Sequence, residues 1–239
     1  MKNIIISFFK LRFMYKHFQR FIWIGILSII SLLLFIILAN KDVVTKPVGW
    51  ENSFLISNNV AAKNLHVTSR GNFVIATFEG KKINKTSIFA SISFNGGKSF
   101  LKPVAITSID SQLDTNPKVA ISPNGSLTVM WNAFIEKDST TRIFYSNSID
   151  MGANWTKPTM VIIGSEMELL PKVFYDNRGK LHLFYHGLNK NSFNLYHAIN
   201  ENGTFITTGS LIKLSSQMKG AFFPDIQLVG RNIYIVWQG

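Results

Sequence analysis

The stretch PKVAISPNGSLTVMWN, residues 117–132, alternates apolar and polar side chains on both sides of Asn124-Gly125. This alternation predicts two strands, and Asn-Gly supplies the positive φ angles that a two-residue hairpin turn requires. Related strand–turn–strand stretches begin at Lys63 (KNLHVTSRGNFVIAT), Pro171 (PKVFYDNRGKLHLFYH) and Pro224 (PDIQLVGRNIYIVWQ). Successive starts are 54, 54 and 53 residues apart, so one hairpin unit recurs along the chain.

A second motif follows three of these hairpins, and its best copy is SNSIDMGANW at residues 146–155. SISFNGGKSF ends at Phe100, and HAINENGTF ends at Phe205. Each copy lies between two further strand-like runs, and four strands per repeat of this length are typical of β-propeller blades. Because a blade buries its faces against its neighbours, we expect the aromatic residue that recurs at one repeat position to be packed: Trp131, Tyr185 and Trp237.

The polar residues of SNSIDMGANW have a structural interpretation within a single turn. The short Asp150 carboxylate can accept backbone N–H groups of the residues that follow it. Gly152 tolerates positive φ, and Ser148 adds a local hydrogen bond. The Trp155 ring can pack beneath the turn. We therefore expect this stretch to stabilise the fold rather than to carry out chemistry.

The pattern Ser-x-Asp-x-Gly-x-x-Trp resembles the Asp box, or bacterial neuraminidase repeat, of the sialidase superfamily. The full copy is Ser148, Asp150, Gly152 and Trp155; the near copy is Ser93, Asn95, Gly97 and Phe100; the degraded copy keeps Asn200 and Phe205. The resemblance implies an all-β, sialidase-like β-propeller, six-bladed when complete, of which this chain holds about three and a half blades. It also implies that the box is structural and lies on the outer rim, away from the ligand-binding face.

Residues 21–39, FIWIGILSIISLLLFIILA, form a run of 19 residues without a charge. As a helix this run would be about 28 Å long, which matches the hydrocarbon core of a bilayer. A cleaved signal peptide and a buried helix are the alternatives; Ile37 is bulky for the −3 position of a cleavage site, and a buried helix needs no basic flank. The five basic residues of segment 1–20, which has no acid, predict a cytoplasmic N-terminus.

The expected organisation is a cytoplasmic segment 1–20, a membrane anchor 21–39, a linker 40–49 and an extracytoplasmic propeller 50–239, in the periplasm or at the cell surface. Residues 50–57 resemble the last strand of a blade, which would complete the C-terminal blade. Because the final repeat ends at Gly239 after two strands, we interpret the propeller as incomplete. A second chain or a further C-terminal segment is the expected partner that completes it.

The resemblance implies a sialidase mechanism with three arginines on the substrate carboxylate, a Tyr–Glu nucleophile pair and an Asp acid/base. Residues 50–239 contain four arginines, of which Arg70, Arg178 and Arg231 lie in equivalent hairpin turns and are not expected to converge on one ligand at the axis. Arg142 is the fourth, so no arginine triad can be assembled and sialic acid is a doubtful substrate.

Other polar residues lie in the connections that surround the centre of a propeller. The candidate catalytic carboxylates are Asp114, Glu168 and Glu136, and the candidate ligand-facing residues are Asn132, Glu166 and His186. Asp114 and Glu168 could act as general acid and base if they are close together. The alternative is that these carboxylates are solvated loop charges and that His186 is a loop or interface residue.

Composition limits the remaining possibilities. The chain has no cysteine, and no cluster has metal-ligand spacing, so we predict no metal site and no cofactor. The formal net charge of +12 is not clustered on a helix in the propeller segment, so nucleic acid is not an expected partner. The expected function is glycan recognition or exo-sialidase-like glycoside hydrolysis at the cell envelope; the alternatives are a non-catalytic interaction scaffold and an inactive truncated product.

Overall fold

The computed structural model describes residues 53–82, 85–107, 113–162, 164–200, 205, 212–213 and 222–238. The segments predicted as cytoplasmic tail, membrane anchor and linker lie outside these ranges. Within the ranges, no helix is both long and apolar enough to cross a bilayer.

The described residues form three four-stranded antiparallel sheets and one two-stranded sheet. The first sheet contains β1 (Ala62–Arg70), β2 (Phe73–Lys82), β3 (Lys85–Ser93) and β4 (Val104–Ala105). The second contains β5 (Asp114–Ile121), β6 (Leu127–Ile135), β7 (Thr140–Ser148) and β8 (Thr159–Met160), with a short 3-10 helix at Glu136–Asp138. The third contains β9 (Met167–Tyr175), β10 (Leu181–Asn189), β11 (Ser192–Asn200) and β12 (Ile212–Lys213), and the last pair is β13 (Phe222–Val229) and β14 (Asn232–Gln238).

Each sheet has the order of its strands in the sequence, so each is an antiparallel meander. The first strands of adjacent sheets are in contact, as the hydrogen bond from the Val119 amide to His66 Nδ1 shows at 3.2 Å. Sheets that meet along their first strands are the blades of a propeller. The predicted all-β architecture, with four strands per repeat and about three and a half blades, is confirmed for the described residues.

A β-bulge interrupts the first strand of every blade at the same place. Two residues of the first strand oppose one aromatic residue of the second strand, for example Asn116 and Pro117 opposite Trp131. The other bulges are Asn64-Leu65 opposite Phe78, Leu170-Pro171 opposite Tyr185 and Phe223-Pro224 opposite Trp237. Proline lacks a backbone N–H and is tolerated in a sheet at bulges. The recurring proline therefore marks the bulge in three of the four first strands; the first blade has Leu65 at this position.

Apolar cores fill the spaces between neighbouring blades. Trp131 belongs to the core between the first and second blades, and Tyr185 to the core between the second and third. Both side chains are buried, as the repeat pattern predicts. Trp237 packs with Phe184 in the smaller cluster between the third blade and the last pair. The repeated aromatic position therefore joins the blades.

The turn after β7 has the hydrogen bonds expected from its residue types. Ser148 Oγ donates to Asp150 Oδ1 at 2.8 Å and accepts the Gly152 amide at 2.8 Å. The Asn154 amide and its side chain both donate to the Asp150 carboxylate, at 2.9 and 2.7 Å, and lower the pKa of Asp150 to about 2. Gly152 has a φ of +88°, and a Cβ there would lie 2.2 Å from Ile92 Cδ1, so the turn also packs on the preceding blade.

The turn after β3 repeats this arrangement with asparagine in place of aspartate. Ser93 Oγ donates to Asn95 Oδ1 at 2.8 Å and accepts the Gly97 amide at 2.9 Å. Asn95 Oδ1 also accepts the Ser99 amide at 3.0 Å. Of the third copy, Asn200 and Phe205 are described; they form an isolated bridge, and the Phe205 ring packs edge-on against Tyr145.

The expected strand at residues 50–57 is wrong over its described part. Residues 53–55 have no regular secondary structure, and residues 56–59 form a turn closed by the Val60 amide and the Ser57 carbonyl at 3.0 Å. Asn58 and Asn59 adopt positive φ angles of 45° and 70°, a conformation that asparagine tolerates and a strand does not use. The turn at Asn58 and Asn59 therefore outweighs the resemblance of this stretch to the last strand of a blade.

Asp150→Ala should lower the melting temperature, because it leaves the turn amides without their acceptor. Asp150→Asn should melt close to the wild type, because Asn95 makes the equivalent bonds in the first blade. Differential scanning calorimetry of both variants at pH 7 measures the difference. Equal destabilisation by the two substitutions would show that the negative charge, and not the acceptor geometry, holds the turn.

Candidate ligand-binding site

The topology separates the polar turns from the candidate site residues. In each meander, the start of the first strand and the connection from second to third strand lie at one end of the blade. The hairpin turn and the Ser148–Trp155 turn lie at the opposite end. Asp114, Glu136 and the other sequence candidates are therefore at the end away from the polar turns.

Asp114 and Glu168 occupy equivalent positions, two residues before the bulge of their blades. Both side chains are buried at 1% exposure. Asp114 Oδ1 accepts a hydrogen bond of 3.0 Å from Trp131 Nε1 of its own blade. Glu168 Oε1 forms an ion pair of 2.9 Å with Arg142 Nη1 of the preceding blade. The two candidate carboxylates thus make separate protein contacts.

Burial raises the pKa of Glu168, although the Arg142 guanidinium acts in the opposite direction. Burial also raises the pKa of Tyr185, and the negative charge of Glu168 adds to this effect. Arg142 also donates to the Ser165 carbonyl, so its guanidinium joins two segments of the third blade to the second. This polar cluster holds two blades together.

Asn132 fastens the second blade to the bulge of the third. Its Nδ2 donates to the Glu168 carbonyl at 3.0 Å, and its Oδ1 accepts the Leu170 amide at 2.9 Å. Glu79 has the equivalent role one blade earlier, because its Oε1 accepts the Asn116 amide at 2.7 Å. The bulges of the second and third blades therefore each turn an amide toward a side chain of the preceding blade.

His186 occupies in the third blade the position that Glu79 and Asn132 occupy in the first two. It is one residue after Tyr185, the aromatic residue that lies opposite the bulge. It is buried, and its Nε2 has no hydrogen-bond partner among the residues that the structure describes. Burial lowers the pKa of His186, and the positive charge of Lys172 lowers it further. The position favours a neutral ring.

Glu166 and Glu136 are the two exposed candidates. Glu166 Oε1 accepts the amide of Lys190 at 3.2 Å, and thereby supports the turn between β10 and β11. Glu136 begins the short 3-10 helix after β6. Glu166 and Glu136 thus belong to different connections of adjacent blades.

A groove along the first strands contains charged side chains that the sequence analysis did not identify. His66, Lys118, Lys172 and Asp225 each follow the bulge of their blade directly. All four line a groove of about 440 Å³, together with Phe174 and Tyr175. The four positions are equivalent in successive blades, and the first strands of the blades are neighbours. The four side chains therefore lie together on the axial side of the blades.

The charges in the groove influence one another. Lys172 Nζ forms an ion pair of 3.1 Å with Asp225 Oδ1. Burial lowers the pKa of Lys118, and Lys172 lowers it further, whereas Glu79 acts in the opposite direction. Burial and the two lysines lower the pKa of His66 to about 4. At neutral pH, His66 is therefore neutral and accepts the Val119 amide.

The sequence did contain a signal for this groove. The residue that follows the recurring proline is Lys118, Lys172 or Asp225. The bulge at the proline determines the direction in which the side chain of that next residue points. The sequence shows the proline but not the bulge, so the axial direction of these side chains could not be inferred.

Two of the repeat-equivalent arginines border one cleft, which lies away from the axis and therefore does not bear on the expectation that they do not converge on a ligand there. Arg178 and Arg231 line a cleft of about 450 Å³ with Asp176 and His182. The cleft lies between the hairpin turns of adjacent blades rather than along the first strands. Neighbouring turns are close enough for long side chains to share a cleft. Within the described ranges, no group of three His, Asp or Glu residues has a geometry suited to a metal ion.

The fold is similar to those of solved carbohydrate-active enzymes. An endo-arabinase from Bacteroides thetaiotaomicron has a TM-score of 0.54 and 14% identity over 77% of this chain and 74% of its own. A Hadza microbial sialidase has a TM-score of 0.53 and 15% identity over 67% of this chain and 39% of its own. A thermostable family-43 glycoside hydrolase has a TM-score of 0.53 and 15% identity over 74% of this chain and 65% of its own.

This chain therefore spans less than two thirds of the sialidase and of the family-43 enzyme. No protein-family model and no curated protein matches it. At these identities, the similarity shows a shared propeller fold.

Asn132→Ala should reduce the free energy of unfolding by about 1–3 kcal/mol, because it leaves the Leu170 amide and the Glu168 carbonyl without their partner. Glu136→Ala is the matched control at the same end of the blade, where the side chain is exposed, and should change stability little. Urea unfolding of both variants provides the measurement. If Glu136→Ala destabilised the protein as much as Asn132→Ala, the role of the Asn132 hydrogen bonds in joining the two blades would be contradicted.

Proposed function

We propose that this protein is a membrane-anchored, extracytoplasmic, sialidase-like propeller that binds a glycan in the axial groove. The observation that carries the proposal is the groove itself, which combines polar side chains with Phe174 and Tyr175. Concave sites lined by aromatic surface and a few placed polar groups are typical of small-ligand binding. The propeller fold shared with a sialidase and an endo-arabinase supports the ligand class by analogy.

Recognition, rather than hydrolysis, is the activity that we propose. A glycosidase needs two carboxyl groups that reach the scissile bond. Asp114 and Glu168 are each 1% exposed and already bind Trp131 and Arg142. Glu136 and Asp138 are exposed, but both belong to the short 3-10 helix after β6 and neither lines the axial groove. The polar turns, which we propose to be Asp boxes, contribute stability at the opposite end.

The glycan proposal is tested with the full chain in detergent micelles. Saturable binding to oligosaccharides on a glycan array is expected, with no turnover of a fluorogenic sialoside or arabinoside by the same preparation. Asp150→Asn is the control and should bind as the wild type does, because it lies at the opposite end of the blades. Absence of binding to every glycan would refute the proposed function and favour an interaction scaffold, whereas turnover would replace recognition with catalysis.

The anchor is tested by fractionation of cells that produce the full chain. The chain should stay in the membrane after an alkaline carbonate wash, and external protease should digest the propeller. Leu32→Arg combined with Phe35→Arg should release it, because each arginine at the centre of a span costs about 2.5–3.5 kcal/mol of insertion free energy. Ser31→Ala is the matched control. Release of the wild-type chain by carbonate would contradict anchoring by residues 21–39.

A further inference from the structure

We infer that the axial groove selects anionic glycans, which carry carboxylate or sulfate groups, and that Lys118 and Lys172 contact the anionic group. The inference rests on the proposed function and names the ligand class of the same groove. It depends on the placement of the two lysines, on the exposure of the Asp225 carboxylate that pairs with Lys172, and on the neutral His66 ring.

The two lysines come from equivalent positions of adjacent blades. Lys118 follows the bulge of β5, and Lys172 follows the bulge of β9. Both line the same groove, and each is partly buried. Two like charges that face one groove repel each other, and the repulsion is stronger where the protein excludes water. A bound anion between them would relieve this repulsion.

The acidic residues near the groove leave these lysines available. Among the described residues, none forms an ion pair with Lys118. Lys172 pairs with Asp225, but the Asp225 side chain is 84% exposed, and an exposed pair contributes little stability. Glu79 acts on Lys118 over a distance, while its Oε1 is occupied by the Asn116 amide and by Asn64 Nδ2. A ligand carboxylate or sulfate can therefore compete for both ammonium groups.

The rest of the groove fits a sugar rather than a long polyanion. His66 accepts the Val119 amide and adds no full charge at neutral pH. Phe174 and Tyr175, which are both half-buried, also line the groove beside Lys172. No arginine lines the groove among the described residues, so the anion would meet point-charge ammonium groups instead of bidentate guanidinium groups. This chemistry suits a single acidic group on a sugar ring.

The test compares three trisaccharides by isothermal titration of the full chain: galactotriose, galactotriose with one 6-sulfate on its terminal ring, and galactotriose whose terminal ring is oxidised to galacturonate. The wild type should bind at least one of the two acidic probes at least tenfold more tightly than galactotriose, and the preference should fall as sodium chloride is raised from 50 to 300 mM. Which acidic probe binds more tightly decides between carboxylate and sulfate. Equal affinity for all three would overturn the inference and leave the proposed function standing.

Lys118→Met and Lys172→Met keep the length of the side chain and remove the charge. Each should weaken binding of the preferred acidic probe at least tenfold and leave galactotriose binding unchanged. Lys157→Met, at the end of the blade with the polar turns, is the matched control and should have no effect. Full affinity for the acidic probe in both groove variants would overturn the assignment.

Folding of the variants is checked independently of binding. Lys118→Met should melt at or above the wild-type temperature, because it removes a repulsive charge from a partly buried position. Weak binding by a variant with an unchanged melting temperature would then show that the lost lysine charge, and not misfolding, reduces the affinity. A single-stranded oligonucleotide that binds as tightly as the acidic glycan, and is displaced by the same substitutions, would show a general polyanion site and overturn the selection of glycans.

Discussion

The β-bulge in the first strand of each blade is the constraint on which the rest of the structure depends. By inserting one extra residue opposite the blade aromatic, it reorients the chain at the axis. It turns the amides of Asn116 and Leu170 toward the preceding blade, where Glu79 and Asn132 accept them. The residue that follows each bulge then lines the axial groove. One local irregularity therefore provides both the contact between blades and the lining of the proposed site.

This arrangement explains why polar residues at the axial end are so often structural. A sheet that packs against another sheet must satisfy every buried N–H and C=O group, and the bulge creates additional ones. Asn132, Arg142 and Glu168 supply partners for these groups or for one another. Their closely spaced polar atoms look like a catalytic set in the sequence. In the folded chain these residues join neighbouring blades. The groove is lined by other charged residues, such as Lys118 and Lys172, which do not make these contacts between blades.

Much of the fold was predictable, because its signals are local. The hairpins follow from apolar alternation around turn residues, and the polar turns follow from Ser148, Asp150 and Gly152, whose hydrogen bonds all lie within one turn. Residues 53–57 resemble the last strand of a blade but lead into a turn at 56–59, in which Asn58 and Asn59 adopt positive φ angles. The groove was missed because its residues come from four strands separated by about a repeat each, and no local pattern shows which way they point.

The sequence by itself determined the repeat, the number of strands in each blade and the positions of the turns. These features depend on side-chain alternation and on backbone preferences of residues that are neighbours in the chain. The tertiary structure decided which polar residues are buried between blades and which line the axis. That choice depends on the register of each bulge against its aromatic partner and on the approach of the next blade. Lys118 and Asp114 differ by only four positions, yet one faces the groove and the other is buried beside Trp131.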